Sequence, residues 1–291
     1  MGLVNPLFFI EAARRKGIAI AAFNVHNLET IQGVVEGAAA ERTPVIVQTT
    51  PGTLKHAGIP YVAACVKVAA ELHDIPIALH VDHCSSYSTI EECIRYGYTS
   101  VMIDGSKLPY DENVNLVKRV VELAHGVGVA VEGELGRIGG TEDDLSIDER
   151  EAALTVPEEA DAFAKATGID TLAIAIGTAH GVYKGEPKLD YKRLAAIKER
   201  VSLPLVLHGA SGVPEASIKA AIQGGIAKIN IATELKIPMA HAIQQVFKEK
   251  PEENDPRNYM GAAKEAVKEV VRQKIRLCGC SGLADELGEW K

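Results

Sequence analysis

Short apolar runs alternate with amphipathic stretches along most of the chain. Runs of strand character lie at 18–24, 45–49, 77–82, 100–104, 130–134, 171–176, 205–208 and 228–230. Each is short and of β character. Between them, 28–41 carries Ile31, Val34, Val35 and Ala38 at helical spacing, and 62–72, 90–95, 114–125, 157–167, 191–200 and 215–224 read similarly. Strands alternating with helices imply parallel strands joined by right-handed crossovers. Eight such units in about 250 residues predict a closed (β/α)8 barrel, a TIM barrel. The competing architecture is an open doubly wound sheet, but no Gly-rich dinucleotide turn follows the first strand.

Two stretches fall outside this rhythm. Residues 139–148, Gly-Gly-Thr-Glu-Asp-Asp-Leu-Ser-Ile-Asp, read as a polar, acidic loop after the fifth strand, suited to a mobile lid. After the eighth strand come a helix at 235–247, the polar stretch 251–257 and a helix at 259–277. The last presents Ala263, Val267, Val270, Val271 and Ile275 on one face. The expectation is one barrel domain over 1–291, with 235–291 a C-terminal helical extension that packs on a neighbouring subunit.

Composition narrows the class of partner. The 291 residues are 47% hydrophobic, enough for a large core, and carry a net charge of −8. A broad basic face for nucleic acid is excluded. No apolar run reaches about 18 residues, so no membrane span is expected. The N-terminus lacks a basic region followed by an apolar core, so no signal peptide is read there. Five cysteines, an odd number without paired zinc spacing, fit a reducing compartment and a cytoplasmic protein. Cys84 reads as filler beside the site, and Cys278-Gly279-Cys280 as incidental.

The candidate chemistry sits at the strand ends. Three apolar runs each deliver a histidine: His83 after 77–82, His180 after 171–176, and His208 after Leu205-Val206-Leu207. A lone histidine after a strand is usually structural. Three at strand ends change that, because all such ends of a parallel barrel face one mouth. Three neutral nitrogens with an open fourth position make a catalytic zinc site. His80 alternates with Asp82 and reads instead as a buried core histidine. Asp82, Asp104 and Glu134 close the third, fourth and fifth strands. Any one alone would be read as a cap or loop hydrogen-bonding group. Together they repel unless a cation or proton lies among them. Asp104 and Glu134 are therefore candidates for a second, weaker metal position, and Asp82 for moving a proton. Gly209-Ala210-Ser211-Gly212 follows the seventh strand and Asn230-Ile231-Ala232-Thr233 the eighth. Small residues there let backbone N–H groups approach a phosphate, with hydroxyls from Ser211 and Thr233.

These residues resemble a known family. Ala22-Phe23-Asn24-Val25, Leu79-His80-Val81-Asp82-His83, Met102-Ile103-Asp104-Gly105-Ser106 and Glu132-Gly133-Glu134-Leu135-Gly136 are four of its signatures. Gly177-Thr178-Ala179-His180-Gly181, Leu207-His208-Gly209-Ala210-Ser211, Lys228 through Thr233, and Asn254-Asp255-Pro256-Arg257 are four more. In order, from about Gly17 to Gly279, the chain looks like a class II, metal-dependent ketose-bisphosphate aldolase. The tagatose-1,6-bisphosphate branch resembles it most, then the fructose-1,6-bisphosphate branch.

The resemblance implies reversible cleavage of a ketohexose 1,6-bisphosphate to dihydroxyacetone phosphate and glyceraldehyde 3-phosphate through a zinc-stabilised enediolate. It implies zinc on His83, His180 and His208, and Asp82 as acid/base at the cleaved bond. Glu142 matches the residue that exchanges the proton on dihydroxyacetone phosphate, although Thr141 stands where some members have a second acid. Gly181, Gly209, Ala210, Ser211, Asn230, Ile231, Ala232 and Thr233 match the triose-phosphate site. Asn24, Thr50 and Arg257 match further substrate contacts. A sodium or potassium ion near the carbonyls of Gly181 and Gly209, and a homo-oligomer, dimer or tetramer, are also implied. The tail from Cys280 to Lys291 departs from the family pattern.

Metal is the natural electron sink for such a reaction. Zinc lowers the pKa of water from about 15.7 to about 7, roughly 12 kcal/mol of anion stabilisation. A single charged hydrogen bond supplies about 1.5–3 kcal/mol. Three rival readings from other classes remain. A zinc hydrolase would use the same histidines but consume water. A Schiff-base aldolase would need a lysine in a strand, and Lys228 is the candidate, although it reads more naturally as a supporting residue. A purely binding protein would leave the histidines and acids without a task.

Overall fold

The computed structural model describes residues 2–142, 145–147, 152–181, 183 and 185–288. The chain begins with α1 (Leu7–Lys16), β1 (Ile20–Asn24), α2 (Leu28–Ala40), β2 (Val45–Thr49), α3 (Pro51–Ala57), α4 (Ile59–Leu72) and β3 (Ile77–Cys84). It continues with α5 (Tyr87–Arg95), β4 (Ser100–Ile103), α6 (Tyr110–His125), β5 (Ala130–Leu135), β6 (Gly139–Glu142) and β7 (Leu145–Ile147). Then follow α7 (Pro157–Thr167), β8 (Thr171–Ile174), β9 (Ala179–His180), α8 (Tyr191–Arg200), β10 (Leu205–Leu207), α9 (Glu215–Gly224) and β11 (Ile226–Ile231). The chain ends with α10 (Thr233–Glu249), α11 (Pro256–Cys278) and α12 (Leu283–Glu286).

Eight parallel strands close into a barrel in the order β1-β2-β3-β4-β5-β8-β10-β11, and β11 pairs back to β1. The barrel is the one the hydrophobic rhythm predicts, and closure excludes the open sheet. Its strands are buried on both faces, for example all of β1, β2 and β3. That is why they read as near-continuous apolar runs rather than as alternating ones.

Two segments differ from the sequence reading. The stretch expected to be a loop begins as an antiparallel pair, β6 with β7, and β6 also pairs parallel with β9. Residues 143, 144 and 148 of that stretch lie outside the described residues. Gly140 has φ +97, which glycine tolerates and which lets its backbone lie flat against β9. The C-terminal helices also divide in two. α11 packs on β1, α2 and α9 and so takes the place of the eighth barrel helix, whereas α10 packs chiefly on α11.

The seating of α11 is legible in α2. Gly33 and Gly37 lie one turn apart, and a Cβ there would come within 2.9 and 2.8 Å of the Val267 and Val271 side chains. The groove they leave is flanked by Glu36, bonded to Lys264 and Lys268, and by Glu41, bonded to Arg272 and Arg276. The divergent tail docks beside them. Leu283 and Ala284 are buried, and the N–H groups of Gly282 and Ala284 donate to the carbonyls of Glu41 and Arg42. The five cysteines are all unpaired.

Candidate metal centre

His83, His180 and His208 meet at the carboxyl end of the barrel. Each offers a ring nitrogen within 4.8 Å of the others. The His83 ring centroid lies 4.8 Å from that of His180 and 4.6 Å from that of His208. All three side chains are buried.

How β3 supplies both Asp82 and His83 is a matter of backbone. Side chains alternate along a strand, so neighbours point to opposite faces. His80 and Asp82 share the interior face, and His83 would point away. The pairing of β3 with β4 slips between Val81 and Cys84, and His83 adopts φ +49. This left-handed conformation costs a non-glycine residue roughly 1–2 kcal/mol. It swings the His83 ring back toward Asp104, with Nδ1 3.0 Å from Oδ2, and leaves Nε2 buried with no hydrogen-bond partner.

The carboxylates surround the imidazoles as the strand-end reading requires. Glu134 Oε2 lies 3.3 Å from His208 Nδ1 and 3.9 Å from His83 Nδ1. His83, Asp104 and Glu134 form a second cluster with ligand spacing. Asp82 is fully buried and held by three amides. Asn24 and Gln48 donate to its Oδ2 at 3.0 and 3.2 Å, and Asn230 donates to its Oδ1 at 3.1 Å. Asn24, expected to contact substrate, is thus spent at least partly on Asp82.

The electrostatics favour a cation. The side chains of Asp82, Asp104, Glu132 and Glu134 are buried, and among the described residues Lys228 is the one buried lysine, paired with Glu132. Burial opposes protonation of His83, yet the Asp82 charge and the hydrogen bond to Asp104 hold its pKa well above the ordinary value. Burial likewise opposes protonation of His208, but the hydrogen bond to Glu132 and the nearby Glu134 carboxylate push its pKa up to about 9. The same excess of negative charge that draws protons to these rings draws a dication. The orphaned His83 Nε2, His208 Nδ1 and Glu134 Oε2 are the atoms one would satisfy. The residues therefore fit a metal ion. His80 behaves as a core histidine: its Nδ1 lies 2.8 Å from Ser100 Oγ, and burial with the nearby Lys228 charge pushes its pKa down to about 3.

Beside the histidines lies a cavity of about 340 Å³ with Gly181, Tyr183, Ser211, Gly212 and Thr233 among its walls. Thr233 opens the 17-residue helix α10, whose free N–H groups and positive dipole end suit an anion. Gly209 and Ala210 lie in the turn after β10, and Asn230, Ile231 and Ala232 lead from β11 into α10. Arg257 is not among the cavity walls. Its side chain is 88% exposed and paired with Asp255 at the start of α11. Thr50 is buried and caps α3 through Thr53 N–H. The Glu142 backbone ends β6, and its side chain lies outside the described residues.

Three supporting residues escaped the sequence reading. Glu132 accepts from His208 Nε2 at 2.9 Å and from Lys228 at 2.8 Å. It lies two residues before Glu134 on the same strand, so period-two alternation already put both on one face. Gln48, a polar residue inside an apolar strand, was a similar signal. The Tyr183 hydroxyl accepts from Ala179 N–H and donates to the Gly209 carbonyl, both at 2.7 Å, and nothing in the sequence announced it. Lys228 is buried on Glu132 as a supporting residue would be.

The chain is similar to known proteins along nearly its whole length. The model of the fructose-bisphosphate aldolase class-II family matches residues 4–283. The chain is 52% identical over 282 residues to the D-tagatose-1,6-bisphosphate aldolase subunit GatY of Klebsiella oxytoca, covering 97% of this chain and 99% of that one. The crystal structure of the YdjI aldolase of Escherichia coli K12 superposes with a TM-score of 0.84 at 34% identity, covering 97% and 99% of the two chains. The Campylobacter jejuni fructose-bisphosphate aldolase shares the fold, with a TM-score of 0.81 at 23% identity over 97% of each chain. A closed parallel barrel, a histidine cluster at its carboxyl mouth and a near full-length family match agree: the chain belongs to the class-II fructose-bisphosphate aldolase family and is an aldolase, a carbon–carbon lyase.

Proposed function

We propose that His83, His180 and His208 hold a zinc ion, and that the enzyme reversibly cleaves a ketohexose 1,6-bisphosphate to dihydroxyacetone phosphate and glyceraldehyde 3-phosphate. The name of the Klebsiella relative favours tagatose bisphosphate as the better substrate, with fructose bisphosphate next. The reading is carried by one juxtaposition: three imidazoles converge beside an immobilised carboxylate and a glycine-walled cavity.

When bound, zinc supplies Lewis-acid stabilisation of the negative charge that develops beside the substrate ketone. Asp82 takes the hydroxyl proton at the breaking carbon–carbon bond and returns it in the synthetic direction. Its three amide partners fix the direction in which it can reach. Glu142 exchanges the proton on the dihydroxyacetone-phosphate carbon. Gly181, Gly209, Ala210, Ser211 and the stretch from Asn230 to Thr233 receive the phosphate of that triose. A sodium or potassium ion at the carbonyls of Gly181 and Gly209 belongs to the same reading, as does a weaker metal position at Asp104 and Glu134.

Exposed Leu28, Tyr61, Val68 and Leu72 on α2 and α4 support a homo-oligomer, dimer or tetramer. Among the described residues no helix is long and apolar enough to cross a membrane. Net negative charge and unpaired cysteines support the cytoplasm. The deciding experiment is steady-state cleavage of tagatose and fructose bisphosphates side by side, with and without chelator. Chelation should abolish both activities and zinc restore them. Full turnover by metal-free enzyme would overturn the reading.

A further inference from the structure

Below the three imidazoles lies a buried ion pair that no step above uses. Lys228 on β11 is 1% exposed, and so is Glu132 on β5. The two carboxylate oxygens of Glu132 are divided between different partners. Oε2 accepts from Lys228 Nζ at 2.8 Å and from Thr171 Oγ1 at 3.1 Å. Oε1 faces His208 Nε2 at 2.9 Å. A buried ion pair is weak evidence for stability, since desolvation cancels much of the attraction. Its geometry here has another consequence.

We infer that Lys228, by claiming Oε2 of Glu132, turns Oε1 onto His208 and fixes the imidazole proton on Nε2, so that the Nδ1 lone pair faces His83 and His180. Lys228 and Glu132 are positioning residues. They act on the metal through His208 and touch neither metal nor substrate. The inference rests on the three-histidine metal reading and extends it to what selects the nitrogen. A neutral imidazole carries one proton, and the hydrogen bond made by one nitrogen decides which nitrogen is left bare. His208 Nδ1 makes no hydrogen bond, and Glu134 Oε2, 3.3 Å from it, is likewise left without one, as expected of two lone pairs awaiting a cation.

The arrangement makes an unusual demand on position 132: two acceptors pointing two ways. Glutamine offers one. In Glu132→Gln the Lys228 charge takes the single oxygen, and the amide NH2 is turned onto His208 Nε2. A donor there requires Nε2 to accept, which places the imidazole proton on Nδ1 and blocks the ligand position. Adding Lys228→Met frees the oxygen to turn back to His208.

The test is zinc affinity, measured by competition with a chelating indicator on folded protein, with folding checked by thermal unfolding of the metal-free forms. Glu132→Gln should bind zinc about 10–100-fold more weakly than wild type. The Glu132→Gln, Lys228→Met double variant should recover much of that loss. An undiminished affinity in Glu132→Gln overturns the inference, and so does a double variant no tighter than the single one. Should the variants not fold, 15N spectra of histidine-labelled, zinc-loaded wild type decide. His208 must carry its proton on Nε2, and a proton on Nδ1 overturns the inference. Failure of the wild type to bind zinc would instead overturn the three-histidine reading beneath it.

Discussion

Gly140 and His180 lie backbone to backbone, so close that a Cβ on Gly140 would sit 2.2 Å from the His180 carbonyl oxygen. The contact comes from the parallel pairing of β6 with β9, in which Gly140 is opposite His180. The segment that carries Glu142 is thus stitched, two residues earlier, to a proposed metal ligand. Gly140→Ala should push β9 outward and misplace the His180 ring, and its φ of +97 adds strain for any side chain. The expected result is at least about tenfold weaker zinc retention, equivalent to about 1.4 kcal/mol. Zinc content after dialysis against a graded chelator series measures it, and wild-type retention would show that the hairpin simply shifts aside.

Asp82 and Glu142 should separate by assay. Asp82→Ala should nearly abolish carbon–carbon cleavage while leaving some proton exchange on dihydroxyacetone phosphate, because exchange does not involve the cleaved bond. Glu142→Ala should slow that exchange by about 10²–10⁴, the usual worth of a positioned acid or base. Deuterium exchange into dihydroxyacetone phosphate, run beside the cleavage assay, reads both. Wild-type exchange in Glu142→Ala would assign both proton transfers to Asp82.

Ser211 lines the cavity next to the histidines. If its hydroxyl donates to the substrate phosphate, Ser211→Ala removes a hydrogen bond to a charged group. That is about 1.5–3 kcal/mol, or roughly ten- to hundredfold in KM for dihydroxyacetone phosphate in the synthetic direction. Unchanged affinity for a phosphate-bearing inhibitor would remove Ser211 from the site.

Acid should loosen α11 from α2. The hydrogen bond from Arg276 holds the Glu41 carboxyl below its ordinary value, with burial opposing and Arg272 and Ser281 assisting. A carboxyl whose folded pKa is depressed contributes stability that is present above the unfolded value, about 4.3. That contribution is lost as pH falls through the lower folded value. The Tm advantage of wild type over Glu41→Gln should therefore be constant near neutrality and shrink as pH drops below about 4.3. Both proteins are compared with chelator present, so that metal release does not enter. A gap independent of pH would mean that the ion pairs of Glu41 do not hold the helix.

The sequence by itself determined the barrel and its mouth. Strand character at eight places, separated by helical patterns, leaves few ways to bury apolar surface on both faces of every strand. Because parallel strand ends share one mouth, His83, His180 and His208 were legible as one cluster although separated by up to 125 residues of chain. What the sequence could not express is anything that depends on register across the barrel or on a local break in a strand. Alternation alone aims Asp82 and His83 apart, and only the slip at Val81–Cys84 and the left-handed His83 bring both to the site. Asn24, Gln48 and Asn230 meet on Asp82 from three other strands or strand ends, an encounter set by barrel closure and shear. Glu132, Thr171 and Lys228 meet beneath His208 for the same reason. Within the stretch read as a loop, 139–142 and 145–147 are paired strand, with β9 offering its backbone to the first, and α11, not α10, closed the ring because Gly33 and Gly37 left room for it. Local sequence encodes which face a residue takes. Which partner waits there is decided when the ring of strands closes.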